Sequence, residues 1–148
     1  MTNENAVVDI NEAVRAYIAQ IEGLRAEIGK LDATITTLRQ SLATLKGLKT
    51  LGEGKTVLVP VGSIAQVEMK VEKMDKVVVS VGQNISAELE YDEALKYIED
   101  EIKKLLAFRL VLEQAIAELY AKIEDLIAEV QKSGEEEVEE EENEEQNE

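Results

Sequence analysis

Two arrays of apolar residues on a strict seven-residue repeat dominate this sequence. In the first, Val14, Ile21, Ile28, Ile35 and Leu42 hold one seam position, and Tyr17, Leu24, Leu31, Leu38 and Leu45 hold the other. In the second, Tyr91, Ile98, Leu105, Leu112, Leu119 and Leu126 alternate with Leu95, Ile102, Arg109, Ile116, Ile123 and Val130, and Arg109 alone is charged. Apolar residues at this spacing form the seam of a coiled coil. Asp9, followed three residues later by Glu12, offers a capping box for the first helix. Past Leu45 the seam meets Lys49, and Gly47, Gly52 and Gly54 are expected to end the helix. Helices over 9–48 and 91–132 follow, each about 60 Å long at 1.5 Å per residue. Matched lengths around a compact insert require an antiparallel hairpin of helices.

The insert, Lys55 to Glu90, changes period from seven to two. Val57, Val59 and Val61 alternate with Leu58 and Pro60, and Ala65, Val67, Met69 and Val71 with Gln66, Glu68 and Lys70; Val77, Val79, Val81 and then Ile85, Ala87, Leu89 follow. These are four short strands, with turns at Gly62-Ser63, Lys73-Met74-Asp75 and Gly82-Gln83-Asn84. Val57-Leu58-Val59-Pro60-Val61-Gly62 recurs twenty residues on as Val77-Val78-Val79-Ser80-Val81-Gly82, which predicts two consecutive hairpins. Four such strands cannot bury their own apolar face, and a free Val-rich edge pairs with whatever is available. Assembly between copies is expected, through Val57, Val59, Val61, Val67, Met69, Val77, Val79, Val81, Ile85 and Leu89. The fold class is α+β.

Composition limits the chemistry. With no Cys and no His among 148 residues, disulfides, thiolate nucleophiles, imidazole bases and the usual zinc or copper ligands are removed together. No cofactor or metal is expected, and no enzyme. Gly54-Lys55-Thr56 imitates the end of a phosphate loop, but Lys49 stands where its first Gly is needed and a strand follows where a helix is needed. Asn84-Ile85-Ser86 is a glycosylation sequon by letters only. The formal net charge is −16; without a basic cluster, nucleic acid and anionic membranes are poor partners. No basic-then-apolar leader opens the chain and no apolar run nears the roughly 20 residues of a bilayer span, so a cytoplasmic protein is expected. Ten of the negative charges fall in 135–148, read as a disordered acidic tail, which leaves −6 for a folded body within 1–134.

Three features remain. Arg109 occupies a seam position, where an unpaired charge is costly; with Leu45 level with Tyr91, it meets Glu27, or Asp32 a turn away, in an ion pair that sets register. Around it Leu106, Phe108, Leu110 and Val111 lie off the seam, suited either to a neighbouring helix or to a partner. At the helix ends far from the strands, Val7, Val8 and Ile10 open one helix, and Leu126, Ile127 and Val130 finish the other. A two-stranded coil cannot cover all of them, which leaves either frayed ends or a sticky tip that holds a client weakly and gains by avidity.

Helix, two hairpins and helix together resemble prefoldin, and its alpha class in particular. The residues carrying the likeness are the two repeated segments above and the junction Glu88-Leu89-Glu90-Tyr91-Asp92-Glu93-Ala94. Within the family the chain is most similar to the archaeal alpha-like form called gamma-prefoldin. The resemblance implies hairpins joined into oligomeric β-barrels, coiled coils whose tips hold non-native proteins without ATP through Val7, Val8, Ile10 and Val14 on one helix and Ile123, Leu126, Ile127 and Val130 on the other, and transfer of those clients to a group II chaperonin. Ser63-Ile64-Ala65-Gln66 and Gln83-Asn84-Ile85 depart from the usual alpha pattern in the assembly elements, and the gamma-type likeness implies homo-oligomers or filaments. The alternatives are an alpha subunit in a hexamer with beta-class partners, and a structural filament or scaffold protein whose tips bind nothing in particular.

Overall fold

The computed structural model describes residues 3–145. Helix α1 spans Asn3–Leu51, strands β1 to β4 span Thr56–Val61, Ala65–Lys70, Lys76–Gly82 and Ile85–Glu90, and helix α2 spans Tyr91–Glu145. The order is the expected one, two long helices around two hairpins. Both helices overrun the expected bounds. Asp9 lies inside α1 rather than at its cap, and Gly47 is passed through; the stop comes at Gly52, whose φ of +92° and N–H bond to the Leu48 carbonyl at 3.2 Å make the left-handed cap that only Gly adopts without strain. At the other end α2 continues past Lys132 and Gly134 to Glu145, through a stretch read from sequence as disordered from Glu135. Glu is a good helix former, and a glycine costs only about 1 kcal/mol in a helix. Residues 146–148 of that tail lie outside the described residues.

The chain divides into two compact units, one made of the residues up to Lys30 and from Phe108 onward, the other of Leu31–Ala107. In the first, Ile21, Leu119 and Ile123 form a buried cluster with Val14, Tyr17, Leu24 and Ile116 packed against it. In the second, Ile35, Ile98 and Ile102 are buried, with Leu38, Leu42, Leu45, Tyr97 and Leu105 around them. Every one of these is a predicted seam residue except Tyr97. Thr37 and Ser41 tolerate a helix interior because each hydroxyl donates back to the carbonyl four residues earlier, at 3.1 Å.

The strands form two separate two-stranded antiparallel sheets, β1 with β2 and β3 with β4. In the first, Val57 faces Met69, Val59 faces Val67 and Val61 faces Ala65. In the second, Val77 faces Leu89 and Val79 faces Ala87, after which a bulge between Ser80 and Gly82 shifts the register so that Gly82 faces Ile85. The turn that follows is Gln83-Asn84, both at positive φ (50° and 59°), the pairing a two-residue hairpin with right-handed twist requires. Two backbone bonds, Gly54 N–H to Val71 O at 2.7 Å and Val71 N–H to Lys55 O at 2.8 Å, extend the first hairpin to the end of the α1 cap. The Tyr91 N–H donates to the Asp75 carbonyl at 2.9 Å, and Asp92 and Glu93 stand in the first turn of α2, where free N–H groups favour negative charge.

Candidate functional surfaces

The hairpins expose most of the apolar residues assigned to them. Val59, Val61, Val67, Met69, Val81 and Ile85 are exposed, whereas Val57, Val77, Val79 and Leu89 are half-buried within the chain. The two hairpins therefore differ. One face of the second is partly covered by its own chain, through Val77, Val79, Ala87 and Leu89; the first is bare on both faces except at Val57. Leu58, Ile64 and Val78 are exposed as well, Ile64 to 98%. The period-two reading set Leu58 on the face opposite Val57, Val59 and Val61 and left Val78 out of the assembly residues, although strands apolar on both sides are a signal of burial on both sides.

β3 and α1 enclose a groove of about 560 Å³. Its floor is Leu38, Leu45 and Ile98, and its walls are Thr37, Ser41 and Thr44 on one side and Val77 to Ser80 on the other. Nearby, the Lys49 ammonium donates to the Met74 carbonyl at 3.2 Å and lies 4.8 Å from the centre of the Tyr91 ring. The Tyr91 hydroxyl donates to the Leu45 carbonyl at 3.4 Å, and Lys46 pairs with Glu99 at 3.8 Å. These polar ties join the end of α1, the β2–β3 link and the start of α2; the heptad count could only mark Lys49 as the place where the seam stops. On α2, Glu101 accepts from Lys104 at 2.9 Å and holds that amine above its ordinary value.

The unit holding both helix ends sorts the predicted tip residues. Val7, Val8 and Ile127 are exposed, at 40%, 55% and 47%. Ile10, Val14, Leu126 and Val130 are half-buried. Ile123, also expected at the tip, is only 9% exposed and packs with Ile21 and Leu119, so it serves the core. Ile18, Tyr120 and Val138 join the exposed set, and no seven-residue count marks them. Arg25 donates to the Tyr120 hydroxyl at 2.6 Å, and Lys122 lies 5.8 Å from the Tyr17 ring. Both contacts tie α1 to α2.

Arg109 is half-buried on the seam and forms an ion pair with Glu113, one turn along its own helix. Glu27 pairs with Lys30 at 3.8 Å, and Asp32 is exposed. Leu106, Phe108, Leu110 and Val111 are exposed by 40–56%. Among the described residues no cluster of His, Cys, Asp or Glu is placed to hold a metal ion, and no helix is long and apolar enough to cross a membrane.

Comparison with known proteins fits this architecture. The family model described as prefoldin subunit matches residues 17–136. The chain belongs to the prefoldin family. Prefoldin subunit alpha 2 of Methanocaldococcus jannaschii is 92% identical over 133 residues, which cover 90% of this chain and 90% of that protein. A putative prefoldin subunit alpha of Aquifex aeolicus is 51% identical over 92% of this chain and 91% of its own length. Among solved structures, a cryo-EM structure of filamentous PFD from M. jannaschii matches with a TM-score of 0.74 and 96% identity, covering 80% of this chain and 98% of that one. The prefoldin match begins at Tyr17 and so takes in both hairpins and every named seam position except Val14, which precedes it with Val7, Val8 and Ile10.

Proposed function

We propose that this prefoldin is an ATP-independent cytoplasmic chaperone that assembles with copies of itself, as a homo-oligomer or filament, through its two hairpins. It holds non-native proteins at the exposed apolar ends of its helices and carries out no catalysis. The observation that carries the assembly is the bare first hairpin. A two-stranded hairpin with no cover is marginal in water, and a chain with 96% of the same residues is found as filamentous PFD. Client holding rests on Val7, Val8 and Ile127, apolar groups that stay in water where the two-helix seam runs out. One such tip holds little, at about 25 cal/mol per Å² of apolar surface; many tips on one scaffold hold a client by avidity. The acidic residues from Glu135 to Glu144 are exposed and keep these ends apart by like charge.

Light scattering of a chemically denatured client, diluted into the full chain and into a chain lacking 1–12 and 124–148, tests the holding role. The full chain is expected to suppress aggregation and the truncated one to fail while still assembling. Equal suppression by both removes tip binding and leaves a structural filament. Electron microscopy of the chain alone tests assembly: filaments are expected, and a dimer that grows only with beta-class subunits would make it the alpha component of a hetero-hexamer serving a group II chaperonin.

A further inference from the structure

The two hairpins repeat each other in sequence, yet their apices differ in kind. The second turns on Gln83-Asn84, both polar; the first turns on Gly62-Ser63-Ile64 and holds Ile64 in water at 98% exposure. From Val57 to Val67 the first hairpin carries no charged residue, in a chain that is 32% charged. The groove between β3 and α1 is the matching exception, since all its lining residues are uncharged too. Its floor is apolar, and the Thr37 and Ser41 hydroxyls on its wall spend their donors on their own helix, so they ask nothing of an occupant. Ile64 does not fill this groove in its own chain, because a side chain seated there would be covered.

We infer that the groove between β3 and α1 is the socket for the first-hairpin apex of a second copy, with Ile64 as the inserted side chain. This rests on the self-assembly proposed above and specifies its contact. Knob and socket are different surfaces of one chain, so the contact is heterologous: each copy that docks its apex still offers an empty groove, and the contacts extend into a filament when the rotation between copies does not close a ring. Neutral meets neutral, so neither partner buries an unpaired charge. The second hairpin is the poorer knob, because its Gln and Asn would give up water to enter a groove lined mostly by apolar side chains.

The sequence has no Cys, which makes a thiol test clean. Full-length Ile64→Cys, Thr44→Cys and the double variant are treated with a short bismaleimide under assembling conditions, with circular dichroism to verify the helices. The expected result is a ladder of covalent oligomers from the double variant, covalent dimers only from an equal mixture of the single variants, and monomer from each single variant alone. A dimer from Ile64→Cys alone means apex meets apex and overturns the inference. Filaments by electron microscopy with no ladder overturn the docking and leave hairpin assembly through strand edges standing; a chain that stays monomeric ends both. Ile64→Ser is expected to raise the concentration at which assembly begins about tenfold or more, the worth of one buried aliphatic side chain. An unchanged concentration overturns the inference as well.

Discussion

The Lys49 ammonium stands 4.8 Å from the centre of the Tyr91 ring while donating a hydrogen bond to the Met74 carbonyl, so one side chain ties three segments of the chain. Replacing it as Lys49→Met keeps the stem and removes both contacts. A cation over a half-buried ring and one hydrogen bond are together worth about 1–2 kcal/mol. Thermal unfolding followed by circular dichroism is expected to show a melting temperature lower by a few degrees, with Lys49→Arg recovering part of it. No change would mean that backbone bonds alone hold this junction.

Core and surface separate at the helix ends. Ile21→Ala, within the Ile21, Leu119 and Ile123 cluster, is expected to cost about 2–5 kcal/mol in denaturant unfolding. Ile127→Ser, at an exposed position, is expected to change stability by less than about 0.5 kcal/mol and to weaken suppression of client aggregation. The opposite pattern would exchange their roles.

Arg109 is charged where its seam neighbours Leu105 and Leu112 are aliphatic. Half-buried and paired with Glu113, it costs desolvation that its ion pair only partly returns. Arg109→Leu is expected to hold or raise the melting temperature in thermal unfolding followed by circular dichroism. A fall of several degrees would give the arginine a stabilising role.

Asn84 sits at φ +59° in the second hairpin turn. A β-branched side chain there costs about 1–2 kcal/mol, so Asn84→Val is expected to speed amide exchange in β3 and β4 while leaving the helices protected. Asn84→Gly is expected to leave exchange unchanged or slower.

Deleting 135–148 removes ten negative charges. Turbidity at low salt is expected to rise relative to the full chain, and the difference is expected to shrink as salt screens the repulsion. Equal solubility at every salt concentration would leave the tail without this role.

The seams were legible because burial along a two-helix contact repeats every seven residues, and every named seam position from Val14 to Leu45 and from Tyr91 to Val130 is buried or half-buried. The hairpins were equally plain, since alternation and turn residues are local properties. Helix ends were less so. Asp9 reads as a cap by letter, but α1 already includes Asn3 to Val8, where no Gly or Pro forbids helix, and α2 runs beyond Lys132 because glutamates favour helix even where their charges repel.

What the sequence by itself determined is the order of elements, the identity of the two cores and the chemistry that is absent, since periodicity, turn type and composition need no partner across space. Only the tertiary structure decided which apolar residues are left over. It kept Ile123 in the core, where its seam position puts it, rather than at the tip, and made Lys49 a tie between segments. It also told apart two hairpins that read alike, covering one face of the second and leaving Ile64 of the first bare. Exposure depends on what else the chain lays against a side chain, and that is a property of the fold rather than of any one stretch of residues.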